Sequence, residues 1–155
     1  MDAFEEEIYE DIAVAGGKVL LFTIDDVVYG IEIRYVDEII GIEQITVVPK
    51  MPAYIKGVIN IRGQVVPIIS VRTRFGKEEI PYDERTCIVV LELDDGNRAG
   101  IIVDRVREVL TVSAASVTET PDVKSVNADR YIKHIIEDRE GIKLLLDCNR
   151  LCTER

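Results

Sequence analysis

The sequence predicts an all-β fold of two small β-barrels related by a pseudo-two-fold, with short helices, and three observations predict it. The apolar residues are mostly β-branched, 22 Ile and 20 Val against 9 Leu and 8 Ala in 155 residues, and such side chains favour strands over helices. From Val19 onward they come in short stretches punctuated by turns, the rhythm of strands about five to seven residues long with tight connections. The chain also repeats itself once.

Residues 1–17 stand apart as an acidic tail. Asp2, Glu5, Glu6, Glu7, Glu10 and Asp11 precede any basic residue. Phe4, Ile8 and Ile12 have the spacing of a short amphipathic helix, but a solvated, mobile end is the simpler expectation. VLLFTI then leads into Asp25-Asp26, VVYGIEI and IIGIEQITVV lead up to Pro49, GVINI leads into Arg62-Gly63, and QVVPIISV follows. Residues 19–40 align with residues 88–110 when one residue is inserted in the turn. This pairs Asp25-Asp26 with Asp94-Asp95, Gly30 with Gly100, Val36 with Val106 and Glu38 with Glu108. Further on, at a constant offset of 77, Tyr54-Ile55-Lys56 matches Tyr131-Ile132-Lys133, Arg62 matches Arg139 and Val71 matches Cys148.

Each half therefore reads as a hairpin, an extended connection, a short helical turn introduced by Pro52 or Asp129, and a second hairpin turning near Arg62-Gly63 or Glu140-Gly141. About five strands per half suffice for a small closed barrel, which removes exposed sheet edges. The expected organisation is one domain over residues 18–152. Its two barrel subdomains cover roughly 18–83 and 84–152.

Composition excludes several classes of function. A net charge of −10 gives no general electrostatic support to a nucleic-acid or anionic-membrane surface. Apolar runs reach only about five residues, far short of the roughly 18 to 20 a membrane span requires. The N-terminus is acidic where a signal peptide is basic and then apolar, and three cysteines make no disulfide framework. A cytoplasmic protein without membrane insertion is expected.

A search for chemistry comes back nearly empty. His134 lies between apolar neighbours in YIKHIIED, with no second histidine and no evident nucleophile, and reads as structural or surface. Cys148 and Cys152 are spaced for one helix face, but no second Cys/His pair completes a zinc set. The glycines lack phosphate-loop spacing. Asp25-Asp26 and Asp94-Asp95 occupy matching turns, where turn chemistry explains them. No catalytic residue, metal or cofactor is expected, which leaves a binding module as the leading class.

At residues 57–72, GVINIRGQVVPIISVR, the sequence resembles the CheW family of bacterial and archaeal chemotaxis coupling proteins. YGIEIRYVDEII and PAYIKGVIN upstream, AGIIVDRVREVL in the second half and IKLLLD near the end extend the resemblance over about residues 18–152. It implies two intertwined five-stranded barrels of the Src-homology-3 type and a non-enzymatic scaffold. Such a scaffold bridges the cytoplasmic tip of chemoreceptors to the regulatory domain of the histidine kinase CheA. A groove between the barrels would hold the receptor's helical hairpin.

The resemblance also assigns residues. Arg62, at the expected hairpin tip, acts with Glu38. Val36, Ile39 and Val109 lie at or near partner surfaces, with barrel core as the alternative for each. Gly57 matches a glycine associated with kinase coupling, and permitting a turn would explain it equally. Thr118 and Val123 fall in the region that contacts the far end of the kinase regulatory domain, building rings of alternating coupler and kinase. The chain departs from the family at Ser70, where an acidic residue is usual, at the uncharged Thr118, and in Cys148 and Cys152. Two alternatives stand beside this reading: a coupler serving a non-chemotactic array, and a ligand- or metal-binding barrel using the acidic turns and Cys148/Cys152.

Overall fold

The computed structural model describes residues 17–112, 117–118 and 130–153. The first hairpin joins β1 (Lys18–Ile24) to β2 (Val27–Glu32) through Asp25-Asp26. Asp25 takes φ +55, as two-residue hairpin turns demand and Asp tolerates. A 3-10 turn (Ile33–Tyr35) leads into β3 (Val36–Gly41). The second hairpin pairs β4 (Ile55–Ile61) with β5 (Gln64–Ser70), followed by α1 (Val71–Arg74). Its N-terminus is capped by the Ser70 hydroxyl, which accepts the Thr73 N–H at 3.2 Å.

The second half repeats the order. It has β6 (Cys87–Glu92), β7 (Arg98–Val103), β8 (Arg105–Thr111), the two-residue β9 (Val117–Thr118), β10 (Ile132–Asp138), β11 (Gly141–Leu146) and α2 (Cys148–Thr153). The β10–β11 turn sits at Arg139-Glu140, one residue before the expected place, because Asp138 pairs with Gly141. At Pro52 the chain makes a turn closed by the Ile55 N–H on the Pro52 carbonyl (3.0 Å) rather than a helix. Asp129 and the acidic tail through residue 16 lie outside the described residues.

The strands form two sheets, ordered β8-β1-β2-β11-β10-β9 and β3-β6-β7-β5-β4. Replacing each element of one half by its repeat turns the second order into the first, apart from the extra β9, so the repeat is a pseudo-two-fold of the structure. The registers agree: Val36 opposes Leu91, and their repeats Val106 and Phe22 oppose each other. Neither sheet comes from one half of the chain, since β1 and β2 sit among second-half strands and β6 and β7 among first-half strands. The splices are the two parallel junctions, β2 with β11 and β5 with β7.

Both junctions need glycine. A Cβ on Gly30 would lie 2.5 Å from a Val19 methyl, and one on Gly100 would lie 2.7 Å from Ile68 Cδ1 and 2.8 Å from Ile88 Cγ2.

Burial follows from this arrangement. Val19 and Leu21 of β1 pack with Ile136 and Leu145 in one barrel interior, and Ile88 and Val90 of β6 pack with Ile59 and Ile68 in the other. The alternate residues, Leu20, Phe22 and Ile24 with Val89 and Leu91, enter a larger core shared by both barrels. These strands are covered on both faces, which explains the unbroken runs VLLF and IVVL. Aromatic rings run through the shared core, with Phe22–Tyr29, Tyr29–Phe75 and Phe75–Tyr131 centroids 5.9, 5.1 and 6.0 Å apart. No helix among the described residues is long and apolar enough to cross a membrane.

Polar clasps seal the barrel ends. Buried Arg72 donates from Nε to Asp104 Oδ1 at 2.9 Å and from Nη2 to Oδ2 at 2.6 Å, and also bonds Asp25, which Lys77 reaches at 3.1 Å. The repeat position, Asn149, performs the neutral version, donating to Asp94 at 2.9 Å and to the Tyr35 hydroxyl at 3.3 Å. Hydrogen bonds from Arg72 and then Lys77 hold the Asp25 carboxyl below its ordinary value of 3.8. A depressed carboxyl contributes stability that is complete above that value and is lost as the pH falls through the lower folded one. Asp25→Asn, which keeps the turn geometry, is expected to cost about 0.5–1 kcal/mol at neutral pH after solvent screening. It is also expected to flatten the acid limb of a melting-temperature profile below pH 4. An acid limb identical to that of the unaltered protein would refute the assignment.

Candidate functional site

The outer strand β3 presents Asp37 and Ile39 outward while Val36, Glu38 and Ile40 are partly covered, the alternation expected of a half-buried strand. Val36 packs against the shared core, and Ile39 is 45% exposed. Val109, which the repeat makes equivalent to Ile39, lies on β8 and is 50% exposed. Each barrel thus offers one uncovered apolar side chain at the same place on its outer strand.

Arg62 and Glu38 meet as the sequence suggests. The Arg62 guanidinium lies 2.8 Å from Glu38 Oε2 and 3.7 Å from Asp37, and Arg98 reaches Asp37 at 3.4 Å. This network joins the β4–β5 turn, β3 and the start of β7. Arg62 holds φ +49 and Gly63 φ +83, while the Asn60 side-chain oxygen accepts the Gly63 N–H at 3.0 Å. A left-handed arginine costs about 1 kcal/mol, so glycine would suit the turn better and something other than the turn accounts for the arginine. The repeat residues Glu108 and Arg139 make no such pair among the described residues, so the ion pair belongs to one barrel only.

Gly57 sits where β4 bulges against β5. Thr46 and Val58 exchange both backbone hydrogen bonds at 2.9 Å, bringing the chain beyond β3 back onto β4 and closing the ring of strands. At Gly57, φ is +148 and a Cβ would come within 2.1 Å of the Thr46 carbonyl oxygen. Thr118 pairs with Ile135 as part of β9, and Val123 lies outside the described residues.

Ser70, which the resemblance marks as a departure from an acidic position, lies beside an acid that sequence reasoning missed. Glu79, from the connection between the halves, accepts hydrogen bonds from the Ser70 hydroxyl and from Thr73 (2.5 Å), with Lys56 at 3.4 Å. Burial pushes its carboxyl up, but these partners together outweigh that and hold it below the ordinary range. Asp37 and Arg98 were missed as well, and only knowledge of the β3–β6–β7 order brings them to Arg62.

The alternative of a metal or ligand barrel finds no set of donors. Asp25 and Asp94 are engaged in the two clasps, and among the described residues no group of three or more His, Cys, Asp or Glu converges. Burial pushes the Cys148 thiol well above its usual value and that of Cys152 up to about 12, so neither is a poised nucleophile or ligand.

Comparison with known proteins agrees with this geometry. The CheW-like domain family matches residues 18–155. The "Chemotaxis protein CheW" of Klebsiella aerogenes is 37% identical over 137 residues, covering 88% of this chain and 81% of its own. Its Bacillus subtilis namesake is 30% identical over 134 residues, covering 86% and 85%. Among solved structures, the scaffolding protein TtCheW from Thermoanaerobacter tengcongensis superposes with a TM-score of 0.79 at 28% identity, covering 87% of this chain and 86% of that one.

The Gly57 geometry yields a stability prediction. Gly57→Ala is expected to cost about 2 kcal/mol in urea unfolding through backbone strain and the Thr46 contact. It is also expected to lower the hydrogen-exchange protection of the Thr46 and Val58 amides before that of the β6 amides. Equal loss of protection everywhere would show that the bridge is not the site of the damage.

Proposed function

The chain belongs to the CheW family, a non-enzymatic scaffolding family, and from that premise we propose that it couples chemoreceptors to the histidine kinase CheA. It would work in the cytoplasm, held to receptor arrays by protein contacts alone. The observation that carries this reading is the pair of equivalent exposed residues, Ile39 and Val109, one on each barrel. They are apolar enough to grip a helical hairpin and too exposed to serve the core. Covering either contributes on the order of 1 to 2 kcal/mol, and a helix laid between them is a familiar recognition mode.

The remaining residues divide by what they touch. Val36 packs on the shared core and would back the proposed groove rather than line it. Arg62 and Glu38 set the charge at its border. Ion pairs this exposed contribute little stability, so their value lies in matching a partner's charges. Gly57 keeps the first barrel closed, so a side chain there would disturb kinase coupling through the fold. By the family resemblance, Thr118 and Val123 would belong to the region that meets the opposite end of the kinase regulatory domain. Two surfaces at separate places on one rigid body are what ring assembly requires, and weak contacts become effective when repeated across an array.

Calorimetric titration with the CheA regulatory domain and with a receptor-tip fragment tests the proposal. Ile39→Asp and Val109→Asp are each expected to weaken receptor binding at least tenfold while leaving the melting temperature within about 3 °C. Arg62→Gly relieves the left-handed turn, and is expected to weaken partner binding several-fold with no loss of stability. Failure of the folded protein to bind either partner would overturn the proposal.

A further inference from the structure

The rings of the shared core do not follow the repeat. Phe22, Tyr29 and Phe75 have Leu91, Ala99 and Cys152 as their repeat equivalents. Tyr29 packs on Phe75 with ring centroids 5.1 Å apart, beside the β2–β11 splice where it pairs with Leu144. At the corresponding place beside the β5–β7 splice, Ala99 supplies only a methyl group and Cys152 only a thiol, so the volume of two rings is missing. A cavity of about 570 Å³ occupies that place, with Ala99, Cys152, Val66, Pro67 and Leu93 in its wall.

The backbone opens at the same point. Leu144 pairs with Tyr29, but the equivalent residues Pro67 and Ala99 do not pair, and the β5–β7 ladder begins one step later at Ile68 and Gly100. Val58 exchanges both its backbone hydrogen bonds with Thr46, so Pro67, opposite Val58 on β5, turns its nitrogen toward β7. A proline has no N–H to donate there. The parallel ladder therefore stops short, and the cavity lies at its open end.

Protein interiors are close-packed and leave few voids, and an apolar cavity of about 150 Å³ already admits a benzene ring. Here the apolar wall is joined by the side-chain amides of Gln64 and Asn97. Asn97 Nδ2 donates to Asp95 Oδ2 at 3.0 Å, while its amide oxygen accepts no hydrogen bond among the described residues. The charged residues beside them are committed elsewhere. Asp95 holds both the backbone N–H and the side-chain amide of Asn97, and Arg98 reaches Asp37 at 3.4 Å. An apolar pocket with a few neutral hydrogen-bonding groups selects an uncharged ring with one polar end, which is what the side chain of Tyr29 provides in the other half.

We propose that this cavity binds a small phenol, whose ring takes the place that Tyr29 and Phe75 fill beside the other splice and whose hydroxyl meets the Asn97 and Gln64 amides. Such an occupant completes the packing at the β5–β7 splice and stabilises the folded chain. Nothing in this depends on the coupling function.

The test titrates the full-length protein, isotope-labelled at its alanine methyl groups, with p-cresol and with toluene. p-Cresol is expected to shift the Ala99 methyl resonance saturably through its ring current and to raise the melting temperature, with toluene binding several-fold more weakly. Calorimetry extends the comparison to Cys152→Phe, which restores the ring Phe75 supplies in the other half, and to the smaller Cys152→Leu. Each is expected to weaken p-cresol binding at least tenfold while holding or raising the melting temperature. The proposal is overturned if p-cresol does not saturate or leaves the Ala99 methyl unmoved, if toluene binds equally well, or if either variant, folded, binds p-cresol as tightly as the unaltered protein.

Discussion

The structure depends on two parallel junctions, β2 on β11 and β5 on β7. Each sheet is assembled around a strand pair borrowed from the other half, so neither sheet exists until residues far apart in the chain have met. Parallel pairing is slightly weaker per residue than antiparallel, and here it spans only two or three residue pairs at each splice. Gly100 lies against Ile68 across the β5–β7 splice, where a side chain would meet the neighbouring strand, and Gly30 at the β2–β11 splice leaves room for Val19 of the adjoining β1. The shared aromatic core then locks the splice from behind. Such long-range closure makes for slow folding and for a native state in which both barrels stand or fall together.

Pseudo-symmetry supplies the frame, and departures from it carry the individuality of each face. Arg72 and Asn149 occupy equivalent positions and perform the same mechanical task, yet one is ionic and the other neutral. Arg62 pairs with Glu38, while Arg139 and Glu108 do not pair among the described residues. Arg74 spans the axis, and Leu151 opposite it merely fills space. A bridge between two unlike partners needs two unlike faces on one rigid body, and a duplicated barrel with edited surfaces meets that need economically. The apolar pair Ile39 and Val109 is one feature the duplication left alike, as is the pair Val65 and Ile142, and on the proposed function the first would suit a helical hairpin lying across both barrels.

Much of the fold was legible because duplication wrote it twice. Hairpins announced by Asp-Asp and Arg-Gly turns, and β-branched runs between them, are local signals, and the observed registers follow the alignment at Val36 and Val106. The partners of those strands were harder to read, since exchange is a property of pairing and leaves no mark on any one segment. For the same reason Arg62 with Glu38 was found through its motif, but Asp37 and Arg98 were not. Their meeting depends on sheet order. Gly57 was recognisable as special without its reason, which is a carbonyl of Thr46 eleven residues earlier that no local pattern predicts. Glu79 reaches Ser70 from nine residues further on, a contact that depends on how the connection between the halves folds back.

The lack of chemical reactivity is itself organised. Thiols that face apolar surroundings are pushed away from their reactive form, and Asp25 and Asp94, one acid from each of the two pairs that sequence inspection offered as a cation site, are engaged in clasps. The acids at the two turns, Asp25 and Asp94, are thereby given a mechanical task. On the proposed coupling function, this arrangement suits a body that holds its partners in place and performs no chemistry of its own. The exposed side chains on outer strands and turns are what such a body leaves for recognition, and on the proposed function weak single contacts would gain their strength by repetition in an array.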